Sequence, residues 1–109
     1  MGRPAINKQG VRLIKIRLQI HGKVQGVFYR QSAREVAKIL ALDGWIKNNP
    51  DGTVEAEAVG TPEAVDGFLA WCQKGPPRAT IDRVHIVAKE DLSEAPPAKD
   101  AGLGFQIVG

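Results

Sequence analysis

An α+β sandwich of order βαββαβ, an antiparallel sheet with two helices on one face and a short extra C-terminal strand, is what the patterning of these 109 residues predicts. Three observations carry that expectation. The run from Val11 to His21 alternates at period two and leads into apolar residues at helical spacing. Asn49-Pro50-Asp51-Gly52 divides two further strand-like runs as a hairpin turn does. Thr61-Pro62-Glu63 opens a second helical pattern, and alternating apolar residues return after it.

Met1 to Gly10 mixes Gly, Pro, Asn and Lys without periodicity, so a disordered leader over 1–10 is expected ahead of one domain spanning 11–109. In the first strand Ile14, Ile16, Leu18 and Ile20 share a face on which Arg12 is the exception, and Lys15, Arg17 and Gln19 point the other way. Ala33, Val36, Ala37 and Leu40 recur between Arg34, Glu35 and Lys38, giving an amphipathic helix that ends near Leu42-Asp43-Gly44. Trp45 to Asn48 reads as the second strand. In the turn after it, Pro50 fixes φ, Asp51 caps locally and Gly52 accepts positive φ. The return strand sets Val54, Ala56 and Ala58 toward the helices and Glu55 and Glu57 toward water. Thr61 reads as an N-cap, Pro62 as the first helical residue, and Glu63 lies in the positive end of the helix dipole. Val65, Phe68, Leu69 and Cys72 form the buried stripe of this helix, and Lys74-Gly75-Pro76-Pro77 stops it. Val84, Ile86 and Ala88 mark a fourth strand, Glu90 to Gly104 a loop, and Phe105 to Val108 a last short strand. A ferredoxin-like sheet satisfies this order. Its right-handed crossover leaves room for strand three between strands one and two, so these two point the same way. The loop after strand one then emerges beside Asn48, at the end of strand two.

A chain of this length buries a modest core without staples. The single cysteine excludes an intramolecular disulfide and fits a reducing setting, so a cytoplasmic location is expected. One Cys and two distant His offer no spacing for a tetrahedral zinc site, and no metal or other cofactor is expected. No apolar run is long enough to span a membrane. The net charge of +3 is enough to attract small anions, but it is equally compatible with proteins that never meet nucleic acid.

The chemistry concentrates between the first strand and the first helix, in His21-Gly22-Lys23-Val24-Gln25-Gly26-Val27-Phe28-Tyr29-Arg30. Gly22 and Gly26 permit positive φ and close backbone approach, so amide N–H groups of the loop can converge on an anion. Arg30 offers a planar fork of donors, always charged, where the dipole of the next helix also favours negative charge. Neither common nucleotide pattern fits: the glycines do not give GxGxxG, and Val24 stands where a P-loop needs Ser or Thr. Taken alone, the glycines favour a plain strand-to-helix turn.

These residues resemble the acylphosphatase family. GKVQGVFYR is similar to its GxVQGVxFR signature, with Tyr29 where the family more often has Phe. GWIKNNPDGTVEAEAVG resembles its second block, and GPPRATIDRV its third, so the likeness runs in order from about Leu13 to Val87. By residue type alone Asn48 is a turn-entrance asparagine, as Asn49 plainly is. The resemblance instead implies that Asn48 positions an attacking water. It further implies that Arg30 and the backbone N–H groups of Lys23, Val24, Gln25, Gly26, Val27 and Phe28 hold a phosphoryl group. The implied reaction is hydrolysis of an acyl phosphate to a carboxylate and inorganic phosphate, the latter also an inhibitor, by a monomer.

Other residues read as bystanders. Lys23 and Lys47 are helpers at most, His21 falls on the outer face of its strand, and His85 has no supporting pattern. Cys72 sits at a buried helical position without a basic partner nearby, as a core residue does. The alternative is a non-catalytic module that binds phosphoryl ligands, in a regulatory or carbamoyl-transfer setting, or RNA. RNA recognition needs aromatics on the open sheet face, and the first and third strands offer Leu13, Lys15, Arg17, Gln19, Thr53, Glu55 and Glu57 instead. The acyl group itself is expected to project into solvent with little to select it.

Overall fold

A computed structural model describes residues 12–92 and 104–109. The expected leader lies outside the described residues, as does most of the loop expected from Glu90 to Gly104. The elements are β1 (Ile14–Lys23), α1 (Tyr29–Ile39), β2 (Asp43–Asn48), β3 (Val54–Gly60), α2 (Pro62–Lys74), β4 (Thr80–Asp91) and β5 (Phe105–Ile107). The sheet order is β4-β1-β3-β2-β5. The ferredoxin-like α+β fold with an added C-terminal strand is therefore present.

The period-two alternation of β1 decides which face is covered. Ile14, Ile16, Leu18 and Ile20 are all buried, together with Val54, Ala56 and Ala58 of the neighbouring β3. On them rest Ala33 and Ala37 of α1 and Val65, Phe68 and Cys72 of α2. Alanines on β3 and α1 keep this interface thin, while Phe68 fills its centre and meets Phe105 at 5.4 Å between ring centroids. α2 starts as its sequence foretells: the Thr61 hydroxyl accepts from Ala64 N–H at 3.2 Å, and Pro62 is the first helical residue.

The positions of three elements differ from the sequence expectation. β5 pairs with β2 in parallel, Ile46 opposite Ile107, so the sheet is mixed rather than wholly antiparallel. β4 ends opposite Ile14 at the start of β1, and β5 begins opposite Gly44, near the start of β2, so it runs the same way as β2. Asp43 and Gly44 belong to β2 and do not end α1, because Ala41 turns the chain first with φ of 56°. Ala88 does not share a face with Val84 and Ile86. A register shift between Arg17 and Leu18 places Ile86 opposite Leu18 but Ala88 opposite Arg17, on the uncovered face.

β1 and β2 both run antiparallel to β3 and hence in the same direction. Ile20 and Asn48 share one partner, Val54, so they lie at one level of the sheet. The loop leaving β1 and the end of β2 meet at that edge, where β5 also arrives.

Candidate active site

Between β1 and α1 the chain makes a tight passage that depends on two unusual backbones. Gly26 has φ of 72°. Phe28 closes the loop in the left-handed region, φ 63° and ψ 24°, and its carbonyl accepts from Ser32 N–H at 3.0 Å to begin α1. No side chain caps this helix, and its first turn holds no acid but Arg30. Its leading N–H groups have no intrahelical acceptor, so a positive helix end and a guanidinium face the same space.

That space is an open cleft of about 360 Å³ lined by Val24, Gly26, Phe28, Tyr29, Arg30, Gln31, Asn48 and Ile107. The Oδ1 of Asn48 is buried and accepts no hydrogen bond from the described residues. A buried amide oxygen is costly to leave unpaired, so Asn48 keeps an acceptor for which the described residues supply no donor.

The turn after Asn48 is held by a network around Thr53, itself buried. The Thr53 hydroxyl donates to Asp51 Oδ1 at 2.6 Å and accepts from Asn49 Nδ2 at 3.0 Å, and Thr53 N–H donates to the same Asp51 oxygen at 2.9 Å. These bonds hold the Asp51 carboxyl below its usual range. Gln25 ties the loop to this turn: its Nε2 donates to the carbonyls of Asn49 at 2.8 Å and Thr53 at 3.0 Å. Those residues flank Asn48 and its ladder partner Val54.

Of the residues singled out by sequence, the structure gathers Val24, Gly26, Phe28, Arg30 and Asn48 around one cleft. The side chains of the others lie elsewhere. Gly22 lies within β1, where a Cβ would collide with the Thr80 carbonyl, so it serves the close passage of β4 and not the cradle. Lys23 ends β1 opposite Thr80, Val27 packs in the core, and the Gln25 side chain is the brace just described. Lys47 lies on the uncovered face over the ring of Trp45, 5.7 Å from its centroid, with Arg17 at 5.5 Å. Trp45 is thus an aromatic on the open face that reading only the first and third strands overlooks. Neither histidine lines the cleft, and His21 stands 3.5 Å from Arg83.

Tyr29 is buried and stacks near Trp71 at 5.2 Å between centroids. Its hydroxyl donates to the carbonyl of Cys72 at 2.9 Å, satisfying one of the last carbonyls of α2. Burial is the main reason its phenol is shifted upward. The tyrosine is therefore a strut that fixes the start of α1 against the end of α2. The Cys72 thiol is buried and pushed up to about 12 by that burial, as befits a core residue. Gln31 and Ile107 were not foreseen. Ile107 had no local signal, because only the parallel pairing of β5 brings it to this edge.

Fold and cleft together define a ferredoxin-like domain that presents a positive helix start, an arginine and a buried amide acceptor at one end of its sheet. The acylphosphatase family model matches residues 16–100. An acylphosphatase of Thiobacillus denitrificans is 51% identical over 79 residues, which cover 72% of this chain and 82% of that protein. Among solved structures, an acylphosphatase from Coxiella burnetii superposes with a TM-score of 0.74 at 33% identity, covering 89% of this chain and 94% of its own. One from Bacillus subtilis gives 0.75 at 27% identity, covering 88% and 99%. The chain belongs to the acylphosphatase family, as the GKVQGVFYR loop and the two later blocks foretold.

Proposed function

We propose that this chain hydrolyses acyl phosphates to a carboxylate and inorganic phosphate, with Arg30 and the loop N–H groups from Lys23 to Phe28 holding the phosphoryl oxygens and Asn48 aiming the water. The observation that carries the reading is that Asn48, whose buried Oδ1 has no donor among the described residues, lines the same cleft as Arg30. A water donating to that oxygen directs a lone pair into the cleft. It attacks phosphorus in line, the bond from phosphorus to the acyl oxygen breaks, and the carboxylate departs with that electron pair. The water's proton passes to a phosphoryl oxygen, so no protein base is required. Because the anhydride has a good leaving group, positioning and charge stabilisation supply most of the catalysis.

A non-catalytic phosphate-binding module would use Arg30 and the loop equally well but gives no account of the Asn48 oxygen. The reading extends to a cytoplasmic monomer that needs no metal and has no nucleic-acid partner. Among the described residues no three His, Cys, Asp or Glu side chains gather as metal ligands, and no helix is long and apolar enough to cross a membrane. Phosphate release from acetyl phosphate in the presence of EDTA tests the reaction. Asn48→Ala should lower turnover about a hundredfold while competitive inhibition by inorganic phosphate changes by less than about threefold. Equal losses in both would make Asn48 a binding or structural residue and remove its assigned role.

A further inference from the structure

Phe28 breaks two rules at once. It is a bulky L-residue in the left-handed region, where Gly or Asn is favoured, and it is 63% exposed, so burial gains nothing in return. Neither local propensity nor packing accounts for a phenyl ring here, and strain kept without benefit to stability points to function. The ring stands on the lip of the cleft that contains Arg30 and Asn48, and Ile107 of β5 lines the same cleft. A volume of about 360 Å³ is at the small end of ligand clefts, roughly 300–1,000 Å³, and exceeds what a phosphoryl group and one water fill. The exposed Phe28 ring and the half-buried Ile107 border the cradle, where the acyl end of a bound acyl phosphate must lie. None of the cleft-lining residues is acidic, and Arg30 is its single charged side chain.

We propose that Phe28 and Ile107 form an acyl subsite that favours aromatic or extended apolar acyl groups over small or anionic ones. This rests on the acyl phosphate reading above and revises the expectation that little selects the acyl group. An aromatic acyl ring can lie against Phe28 in an offset or edge-to-face arrangement and cover Ile107, whereas an acetyl methyl reaches little of either. Phe28→Asn is the informative variant, because asparagine tolerates the same backbone conformation while deleting the ring.

The test compares binding of benzoylphosphonate and acetylphosphonate, stable analogues of the two acyl phosphates, by calorimetry on the full chain, beside kcat/KM for benzoyl and acetyl phosphate. Wild type should bind the benzoyl analogue about tenfold more tightly, and the preference should shrink to less than about threefold in Phe28→Asn, with Ile107→Ser shifting it the same way. Equal affinities in wild type, or a preference that survives both substitutions, would overturn the subsite. Because the ratio cancels any general weakening of the cradle, it remains informative if either variant binds phosphate less well. Binding with the stated preference but no turnover of either substrate would sink the hydrolytic reading and support the subsite.

Discussion

The two helices of this domain begin in opposite ways. α2 has every stabilising device at its start: an extended N-cap in Thr61 with its side-chain bond, Pro62, and Glu63 in the positive end of the dipole. α1 has none of them. Its N-cap is a left-handed Phe28, nothing caps it, and a cation, Arg30, occupies the turn where an acid would be favourable. The difference is worth about 1 kcal/mol for the cap and some tenths more for the charge. α2 satisfies its N-terminus from within the chain, whereas α1 leaves its donors uncapped, as the anion site proposed above requires, and Tyr29 and Gln25 hold it in place instead.

The largest effect should come from forcing the start of α1 to resemble that of α2. Arg30→Glu places an acid in the first turn, so activity should vanish while the melting temperature holds or rises. The subtler Arg30→Lys keeps the charge but loses the planar fork, and should cost a hundredfold or so in kcat. Retention of most activity in a folded Arg30→Lys protein would mean the fork is not what the reaction uses.

The brace comes next. Gln25→Glu would turn carboxylate oxygens toward two carbonyl oxygens, so it should lower kcat by about tenfold or more and exceed the loss in Gln25→Ala. Equal, small effects from both would show that Asn48 holds its position without the loop. Thr61→Ala probes the other helix. It should destabilise the fold by about 1 kcal/mol, or a few degrees in melting temperature, with kcat unchanged within error. A loss of turnover there would erase the division between the two helix starts.

The smallest effect concerns acid. Asp51 titrates below its unfolded value, mainly because the Thr53 hydroxyl and N–H bond to it. Its contribution is therefore complete above about pH 4, the unfolded carboxylate value, and disappears as pH falls through the lower folded value. Melting temperature measured from pH 5 downward should fall less steeply in Asp51→Asn than in wild type, and parallel curves would remove Asp51 from the account of the turn.

How much of this was legible depended on range along the chain. The alternation of Ile14 to Ile20, the Asn-Pro-Asp-Gly turn and the cap at Thr61 are set by neighbours within four residues, and each is found where the sequence puts it. The family blocks marked the loop, Arg30 and Asn48, and the antiparallel register through Val54 accounts for their meeting. What escaped depends on partners far away. Gly22 looked like a cradle glycine until Thr80 was seen against it, and the hydroxyl that sets Tyr29 apart from the family's usual Phe had no visible use until Cys72 accepted it. The Ala88 alternation failed at a bulge, Trp45 came to the open face beside Arg17, and Ile107 reached the cleft only through parallel pairing. Local patterns record which face of an element is buried because solvent acts on each residue separately. The occupant of the opposite position is fixed only when strands pair, and no residue carries that information by itself.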